Sequence, residues 1–275
     1  MKYKWLIIYL VLIALALGVG FYLKPNPKFN FTIVTTGNSV IKATKIKEKK
    51  PVEISSYQIP VLMYHYIRVA DPADTLGVGL SVTPTNFEKQ MKWLSENNYK
   101  SMKLEDLADP EKIEIGKILN SKKKPVVITF DDGYEDSFTE AYPILKKYNF
   151  TGTIFIIRDF VGRSEYANQN QINEIASNGM EIGSHTLGHK NLATSSLDIA
   201  KTQIFDSKLG SNVFCYPSGR YNEDVVSLVR DAGYDVAVTT NPGIATEKSN
   251  ILELPRVRIK NVDLETFSKK VQGLE

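Results

Sequence analysis

Two histidines and two aspartates carry the clearest chemical signal in this chain. The sequence contains three histidines in all, and two of them, His185 and His189, lie four positions apart in the segment SHTLGH. Imidazoles at this spacing converge on one cation when they share a helical turn or a tight loop, and with a carboxylate they suit Zn²⁺. Two histidines, one aspartate and open coordination positions are typical of a catalytic metal. The competing interpretation is a pair of loop histidines that bond to backbone groups.

The carboxylates come from Asp131 and Asp132, in the segment TFDDG that follows the apolar run Val126–Ile128. Adjacent carboxylates that leave a buried strand are costly unless a cation holds one of them. The pattern therefore favours one aspartate as a metal ligand and its neighbour as a proton acceptor. By itself, Asp-Asp-Gly is also a common turn and helix cap.

A third segment, FCYPSGRY at Phe214–Tyr221, places a turn with Pro and Gly after another apolar run. Such a turn can aim a backbone N–H into a cleft, as an oxyanion requires, although an ordinary turn is the commoner outcome. Cys215 lies in this run. As a lone cysteine in an apolar strand, we expect it to be a small core residue rather than a nucleophile.

All three segments follow predicted strands in a regular α/β pattern. The predicted strands are Pro60–Tyr64, Val126–Phe130, Thr151–Ile157, Met180–Ser184, Val213–Tyr216, Val236–Thr239 and Leu252–Ile259. The predicted helices are Pro84–Asn97 (capped by Thr83 or Thr85), Glu135–Tyr148, Gln169–Asn178, Ser196–Leu209 and Asn222–Ala232. Apolar strands separated by helices indicate a parallel sheet covered on both faces. About seven strands in about 215 residues favour one α/β barrel over two domains, with its chemistry at the carboxyl ends of the strands.

Composition excludes several classes of protein. The 275 residues allow one large domain or two small ones. A net charge of +3 is too small for a nucleic-acid binder, so we expect no nucleic-acid partner. The single cysteine excludes an internal disulfide and a cysteine-based zinc site within the chain. We expect a monomer.

The N-terminus predicts a membrane anchor. Trp5–Leu23 carries no charge and as a helix would be about 28 Å long, close to the thickness of a bilayer core. A cleaved signal peptide is the alternative, because Lys2 and Lys4 precede the run and Ala14-Leu15-Ala16 reads as a cleavage site. We therefore predict a transmembrane anchor at 1–24, a basic membrane-proximal spacer at 25–58 and a catalytic domain at 59–275. The expected location is the cell membrane with the catalytic domain outside, or secretion if the segment is cleaved.

The order of TFDDG, SHTLGH and FCYPSG resembles that of the polysaccharide deacetylases of carbohydrate esterase family 4, the NodB homology domain. The resemblance covers roughly residues 60–262. It implies a distorted (β/α)7 barrel, a divalent metal, and removal of acetyl groups from N-acetylated sugars. Carried over by position, it implies that Asp131 is the catalytic base and that Asp132, His185 and His189 are metal ligands. The backbone N–H near Ser218 would help to hold the oxyanion.

The chain departs from the usual family pattern at two roles. Most members carry their acid histidine in a late motif, but no histidine follows His189 here. The remaining one is His65, after the first strand, and this position looks like the subgroup that acts on poly-N-acetylglucosamine; a core histidine flanked by tyrosines is the alternative. Cys215 occupies the place of the arginine that usually orients the base. Arg256, or less convincingly Arg220, is a candidate to replace it.

The sequence as a whole predicts a membrane-anchored, extracellular, Zn²⁺-dependent polysaccharide N-deacetylase. Poly-N-acetylglucosamine is the favoured substrate. Two alternatives stay open at this point. One is a peptidoglycan deacetylase with the same metal chemistry, and the other is a glycan-binding homologue with little activity.

Overall fold

The computed structural model describes residues 56–109 and 111–274, and its elements follow the alternation of strands and helices that the sequence predicts. The strands are β1 (Gln58–Ile59), β2 (Val61–Tyr64), β3 (Tyr99–Ser101), β4 (Lys124–Phe130), β5 (Thr153–Ile156), β6 (Glu181–Ser184), β7 (Val213–Cys215), β8 (Val236–Pro242), β9 (Ala245–Thr246) and β10 (Leu254–Arg258). The α-helices are α1 (Thr75–Leu80), α2 (Pro84–Glu96), α3 (Ile113–Asn120), α4 (Tyr142–Lys147), α5 (Gln169–Ser177), α6 (Leu197–Phe205), α7 (Glu223–Asp231) and α8 (Leu264–Val271).

Seven parallel strands of the described residues close into a barrel. The order is β2-β10-β8-β7-β6-β5-β4, and β4 pairs again with β2, which completes the ring. The ring is irregular, because β6 and β7 share a single paired position, Ser184 with Phe214, and the register of β10 against β8 shifts between Leu254 and Arg256. The predicted seven-stranded α/β barrel is therefore confirmed. β3 extends the sheet beyond β4, and β1 pairs antiparallel with β9.

Alternation along the strands divides the apolar side chains between two sides of the barrel wall. In β4, Val126 and Ile128 pack in the large cluster that includes residues of α2 and α8, whereas Val127 packs with Phe155 and Val213 in a second cluster. The residues that continue the second side of β4 are Thr129 and then Asp131. The same alternation therefore aims the first residue after the strand at the barrel axis.

Several boundaries differ from the prediction for identifiable reasons. The helix predicted over Glu135–Tyr148 is a π-helix at Ser137–Ala141 followed by α4, and Pro143 at the junction has no N–H to donate to the preceding turn. Thr83 caps α2 as predicted, since its hydroxyl accepts from the N–H of Asn86. The predicted helix Ser196–Leu209 ends at Phe205. Elements α1, β3, α3, β9 and α8 lie where no element was predicted.

The predicted anchor at 1–24 and all but the last residues of the predicted spacer at 25–58 lie outside the described residues. Among residues 56–109 and 111–274, no helix combines the length and the apolar composition needed to cross a bilayer.

A buried glutamate holds two segments together at the end of the barrel where the strands begin, opposite their carboxyl ends. Glu181, the first residue of β6, is 3% exposed. Its carboxylate accepts from the N–H of Leu104 at 3.0 Å, the N–H of Glu105 at 3.1 Å and the hydroxyl of Thr153 at 2.6 Å. It thus ties the short 3₁₀ helix Glu105–Ala108 to the sheet.

This glutamate should make stability fall as the pH rises. Burial outweighs the donated hydrogen bonds and raises the pKa of Glu181 from 4.5 to about 7. Between these values the native state holds a proton that the unfolded state has lost, so the unfolding free energy should decrease between about pH 5 and pH 8, by up to about 3 kcal/mol. Urea unfolding of wild type and Glu181→Gln at several pH values measures the effect, with Glu174→Gln on the exposed face of α5 as control. Parallel pH profiles for wild type and Glu181→Gln would contradict it.

Candidate active site

The polar side chains singled out in the sequence meet at the carboxyl ends of the barrel strands. His65 follows β2, Asp131 follows β4 and His185 follows β6, while Arg256 comes from within β10. Asp131, His185 and Arg256 are at most 3% exposed. Because parallel strands end at the same edge of a barrel, these residues converge although up to about 190 positions separate them in sequence.

Asp131 is held by a buried arginine. Arg256 is fully buried and donates from Nη1 to Asp131 Oδ1 and from Nη2 to Asp131 Oδ2, each at 2.7 Å. Its other N–H groups donate to the carbonyl of Thr239 at 2.7 Å, the hydroxyl of Thr129 at 3.0 Å and the sulfur of Cys215 at 3.3 Å. All five donors of the guanidinium therefore have acceptors, which a buried charge requires.

This ion pair sets the charge of the candidate base. Burial alone would raise the pKa of Asp131, but the Arg256 guanidinium, helped by His65 and His185, outweighs it and holds the pKa well below its usual range. Asp131 is therefore ionised at neutral pH. Both of its oxygens have fixed directions, because the bidentate geometry allows one orientation of the carboxylate plane.

Asp132, His185 and His189 form a group that fits a divalent metal. Asp132 Oδ1 lies 3.3 Å from His185 Nε2 and 3.4 Å from His189 Nε2, and the three ligand atoms all lie within 4.8 Å of one another. Bonds of about 2.0–2.1 Å at tetrahedral angles would put neighbouring ligand atoms about 3.3–3.4 Å apart. The His185 side chain is 2% exposed and that of His189 is 31% exposed, so the group opens to solvent on one side. An open side is what a catalytic metal requires.

The neighbouring strand fixes the orientation of His185. Its Nδ1 lies 2.7 Å from the carbonyl oxygen of Cys215, which can only accept, so Nδ1 carries the proton and Nε2 is free to bind a metal. A second triad, Asp131, His185 and Cys215, also has its donor atoms within 4.8 Å of one another. It does not fit a metal, because Arg256 already occupies both oxygens of Asp131 and contacts the sulfur.

The SHTLGH loop is strained and is supported by a residue that sequence reasoning missed. Thr186 and His189 both have left-handed backbones, with φ of 67° and 55°. The Thr186 hydroxyl accepts from the N–H of His189 at 3.0 Å. From α6, Gln203 accepts from Gly188 N–H through its side chain at 2.9 Å and from Leu187 N–H through its carbonyl at 3.2 Å. Nothing in the sequence around Gln203, which lies in a helical pattern, indicates that it supports the histidine loop.

His65 lies beside the candidate base. Its Nε2 is 3.8 Å from Asp131 Oδ2, and its side chain is 14% exposed. Burial lowers the pKa of His65, and the charges of Asp131 and Asp132 oppose that effect only in part. The imidazole thus lies beside the candidate base with a small part of its side chain exposed to solvent.

Ser218 and Arg220 lie in the turn that follows β7. Both side chains are exposed. Ser218 has a left-handed backbone with φ of 54°, and Gly219 follows with φ of 66°. A Cβ at Gly219 would come within 1.9 Å of the Thr240 hydroxyl, so this turn requires glycine. Arg256, and not Arg220, makes the contact with Asp131.

Cys215 is a core residue, as expected. It is fully buried, and burial raises the pKa of its thiol, which therefore stays neutral. Its carbonyl and its sulfur nevertheless contact His185 and Arg256, so it joins the metal-ligand group to the ion pair. A cysteine in an apolar run gave no indication of these two contacts.

With a divalent metal bound, these groups would have the parts needed to hydrolyse an amide or ester. An ionised, oriented carboxylate lies next to a set of metal ligands with an open side, and a histidine lies within reach of the same carboxylate. A carboxylate base, a Lewis acid and a separate proton donor are the parts that metal-assisted hydrolysis requires.

Comparisons with known proteins agree with this chemistry. The family model for polysaccharide deacetylase matches residues 119–237. The Bacillus subtilis protein described as "Putative polysaccharide deacetylase YxkH" is 36% identical over 226 residues, which cover 78% of this chain and 74% of that protein. The poly-beta-1,6-N-acetyl-D-glucosamine N-deacetylase of Staphylococcus epidermidis is 26% identical over 268 residues, covering 86% and 91%. Among solved structures, the Streptococcus pyogenes deacetylase PplD in complex with acetate superposes with a TM-score of 0.68 at 31% identity, covering 80% of this chain and all of that one.

The barrel, the site at its carboxyl edge and the 36% identical relative lead to one assignment. This chain belongs to the polysaccharide deacetylase family and is a hydrolase that acts on amide bonds.

Proposed function

We propose that this protein uses a divalent metal, Zn²⁺ being favoured, to remove acetyl groups from the N-acetylglucosamine units of an extracellular polysaccharide. The observation that carries the proposal is the placement of Asp131, fixed by Arg256, directly beside the ligand group Asp132, His185 and His189. The base Asp131 and one of the ligands, Asp132, are consecutive in sequence, so a single backbone segment determines their separation.

Asp131 acts as the base in this proposal. A metal held by Asp132, His185 and His189 would polarise the amide carbonyl and lower the pKa of the attacking water. Asp131 accepts a proton from that water, and Arg256 keeps the carboxylate ionised and correctly oriented before the reaction. Arg256 therefore acts through Asp131.

Two further groups complete the reaction. As the C–N bond breaks, the sugar amine must gain a proton, and His65, 3.8 Å from Asp131, is the donor we assign. The tetrahedral oxyanion needs a hydrogen-bond donor, and we assign the backbone N–H of Ser218 in the turn after β7. Acetate and a glucosamine unit are the products.

Poly-N-acetylglucosamine is the polymer we favour. The similarity to the Staphylococcus epidermidis poly-beta-1,6-N-acetyl-D-glucosamine N-deacetylase extends over 86% of this chain, and His65 follows the first barrel strand, as in the subgroup that the sequence resembles. Both observations support poly-N-acetylglucosamine as the substrate. We further propose that residues 1–24 anchor the protein in the cell membrane with the barrel outside, so that it meets its substrate there.

The division of work between base and metal ligands predicts two distinct defects. Asp131→Asn should lower kcat for acetate release by about 10²–10⁴-fold and still bind Zn²⁺, because Asp132 and both histidines remain. His185→Ala should lose both activity and metal. Acetate assays and Zn²⁺ titrations measure these effects, with Asp231→Asn at the exposed end of α7 as control. Equal loss of metal in both variants would contradict the separation of roles.

The assignment of His65 predicts a loss of rate without a loss of metal. His65→Ala should reduce kcat by about 10²–10⁴-fold, because the departing amine then lacks a positioned proton donor. Zn²⁺ affinity should stay near that of wild type, since His65 is not among the metal ligands. The acid assignment is rejected if His65→Ala, measured with saturating Zn²⁺ and substrate, retains full kcat.

A panel of polymers decides the substrate. We expect the highest kcat/KM for acetate release from β-1,6-linked N-acetylglucosamine oligomers, with chitin oligomers and peptidoglycan as comparisons. Peptidoglycan as the best substrate would replace the favoured polymer and keep the chemistry. If Zn²⁺-loaded full-length protein released acetate from none of them, the proposed activity itself would fail.

A further inference from the structure

A stack of three tyrosines, Tyr66, Tyr134 and Tyr166, lies beside the metal-ligand group. The rings of Tyr66 and Tyr134 are nearly parallel, with centroids 3.7 Å apart at 21°, and Tyr166 lies on Tyr134 at 5.0 Å and 33°. The guanidinium of Arg68 covers the ring of Tyr66 at 3.5 Å, and Phe160 meets Tyr166 edge-on at 5.0 Å. The ring faces of Tyr66 and Tyr134 are thus occupied by protein groups, so these two do not offer a face to a sugar.

The stack joins three separate loops at the carboxyl edge of the barrel. Tyr66 follows β2, Tyr134 follows TFDDG after β4, and Tyr166 belongs to the segment after β5. Backbone contacts reinforce the joint: Tyr134 and Tyr166 form an antiparallel bridge. In addition, Glu135 N–H donates to the carbonyl of Glu165 at 2.8 Å, and Ala167 N–H donates to that of Gly133 at 3.1 Å.

Between β4 and this joint lies the metal ligand Asp132, in a strained conformation. Its φ is 73°, and Gly133 follows with φ of 77°. A left-handed non-glycine residue persists only where its surroundings hold it, because the conformation costs about 1–3 kcal/mol. The space is also confined, since a Cβ at Gly133 would lie 2.8 Å from the side chain of Ile156.

The left-handed turn at Asp132 and Gly133 is held on its two sides by different interactions. On the strand side, Asp131 N–H donates to the carbonyl of Tyr64 at 3.0 Å, and Arg256 holds the Asp131 carboxylate. On the other side, the chain passes directly from Gly133 into the tyrosine stack.

We propose that the tyrosine stack is the positioning element for the metal ligand Asp132, with Tyr66 as the residue that holds Tyr134 in place. The inference rests on the proposed metal site. Removing the Tyr66 ring frees one face of Tyr134 and leaves that side of the left-handed turn at Asp132 and Gly133 to its backbone hydrogen bonds alone. The Asp132 carboxylate then loses its fixed direction toward His185 and His189. Mutating residues that hold a metal ligand in position typically changes metal affinity by about 10–100-fold.

Co²⁺ binding to the full-length protein tests this without relying on activity. We expect Tyr66→Leu to raise the Co²⁺ dissociation constant about 10–100-fold and to change the visible absorption bands, which report coordination geometry. Tyr66→Phe, which keeps the ring, should match wild type in both. Tyr166→Leu, at the outer end of the stack, should weaken binding in the same direction and serves as the second variant if Tyr66→Leu does not fold. The matched control is Tyr221→Leu, which removes a ring stacked on Tyr216 at 4.4 Å, in the segment after β7.

The outcomes separate the inference from the function on which it rests. Folded Tyr66→Leu or Tyr166→Leu with wild-type Co²⁺ affinity and spectrum would overturn the positioning role while the metal site stands. An equal loss of affinity in Tyr221→Leu would also overturn it, because the effect would then be general. Wild-type protein that binds neither Co²⁺ nor Zn²⁺ would overturn the proposed metal site and this inference with it.

Discussion

The buried ion pair between Asp131 and Arg256 is the interaction on which the site depends. A carboxylate and a guanidinium removed from water are expensive unless geometry and hydrogen bonding compensate for the lost hydration. Here both oxygens of Asp131 are engaged, and the remaining donors of Arg256 reach Thr129, Thr239 and Cys215. Breaking the pair would leave an uncompensated charge inside the barrel, so it fixes β4 and β10 relative to each other at their carboxyl ends. It also places an ionised carboxylate next to Asp132, which follows it directly in sequence and belongs to the possible metal-binding group.

The rest of the site follows from this pair and from the alternation of the strands. Because Asp131 faces the axis, Asp132 must turn away from the strand direction to face the histidines, and a left-handed backbone accomplishes that turn. His185 reaches the same point from β6, and the carbonyl of Cys215 on β7 fixes its ring. Two supports from outside the strands, Gln203 under the histidine loop and the tyrosine stack beside Asp132, hold these loops in their strained conformations. The side chains of the site are thus held in place by surrounding residues that also contact one another.

Features that depend on residues close together in sequence could be predicted, and features that depend on contacts between distant residues could not. The barrel and its histidine and aspartate segments were predictable, because apolar runs, helix caps and ligand spacing are local patterns. Arg256 emerged only as a candidate, since its contact with Asp131 spans 125 positions and exists only when the barrel closes through β2. Gln203, Glu181 and the tyrosine stack were not predictable, because each acts through contacts with a different segment of the chain that appear only in the folded protein. The elements α1, β3, α3 and α8 were not predicted either, and each is no longer than eight residues.

The substitution of cysteine for the arginine expected at position 215 is explained by the same ion pair. In the family pattern that the sequence resembles, an arginine at this position orients the base. Here Arg256 approaches Asp131 from β10 instead, and its Nη2 lies 3.3 Å from the Cys215 sulfur. A second guanidinium at position 215 would bring another positive charge into a fully buried space that holds one carboxylate, which is unfavourable. A small neutral thiol, kept protonated because burial raises its pKa, fills that space and accepts a hydrogen bond from Arg256. The charge balance at Asp131 is therefore preserved although the arginine comes from a different strand, and the carbonyl of Cys215 remains available to His185.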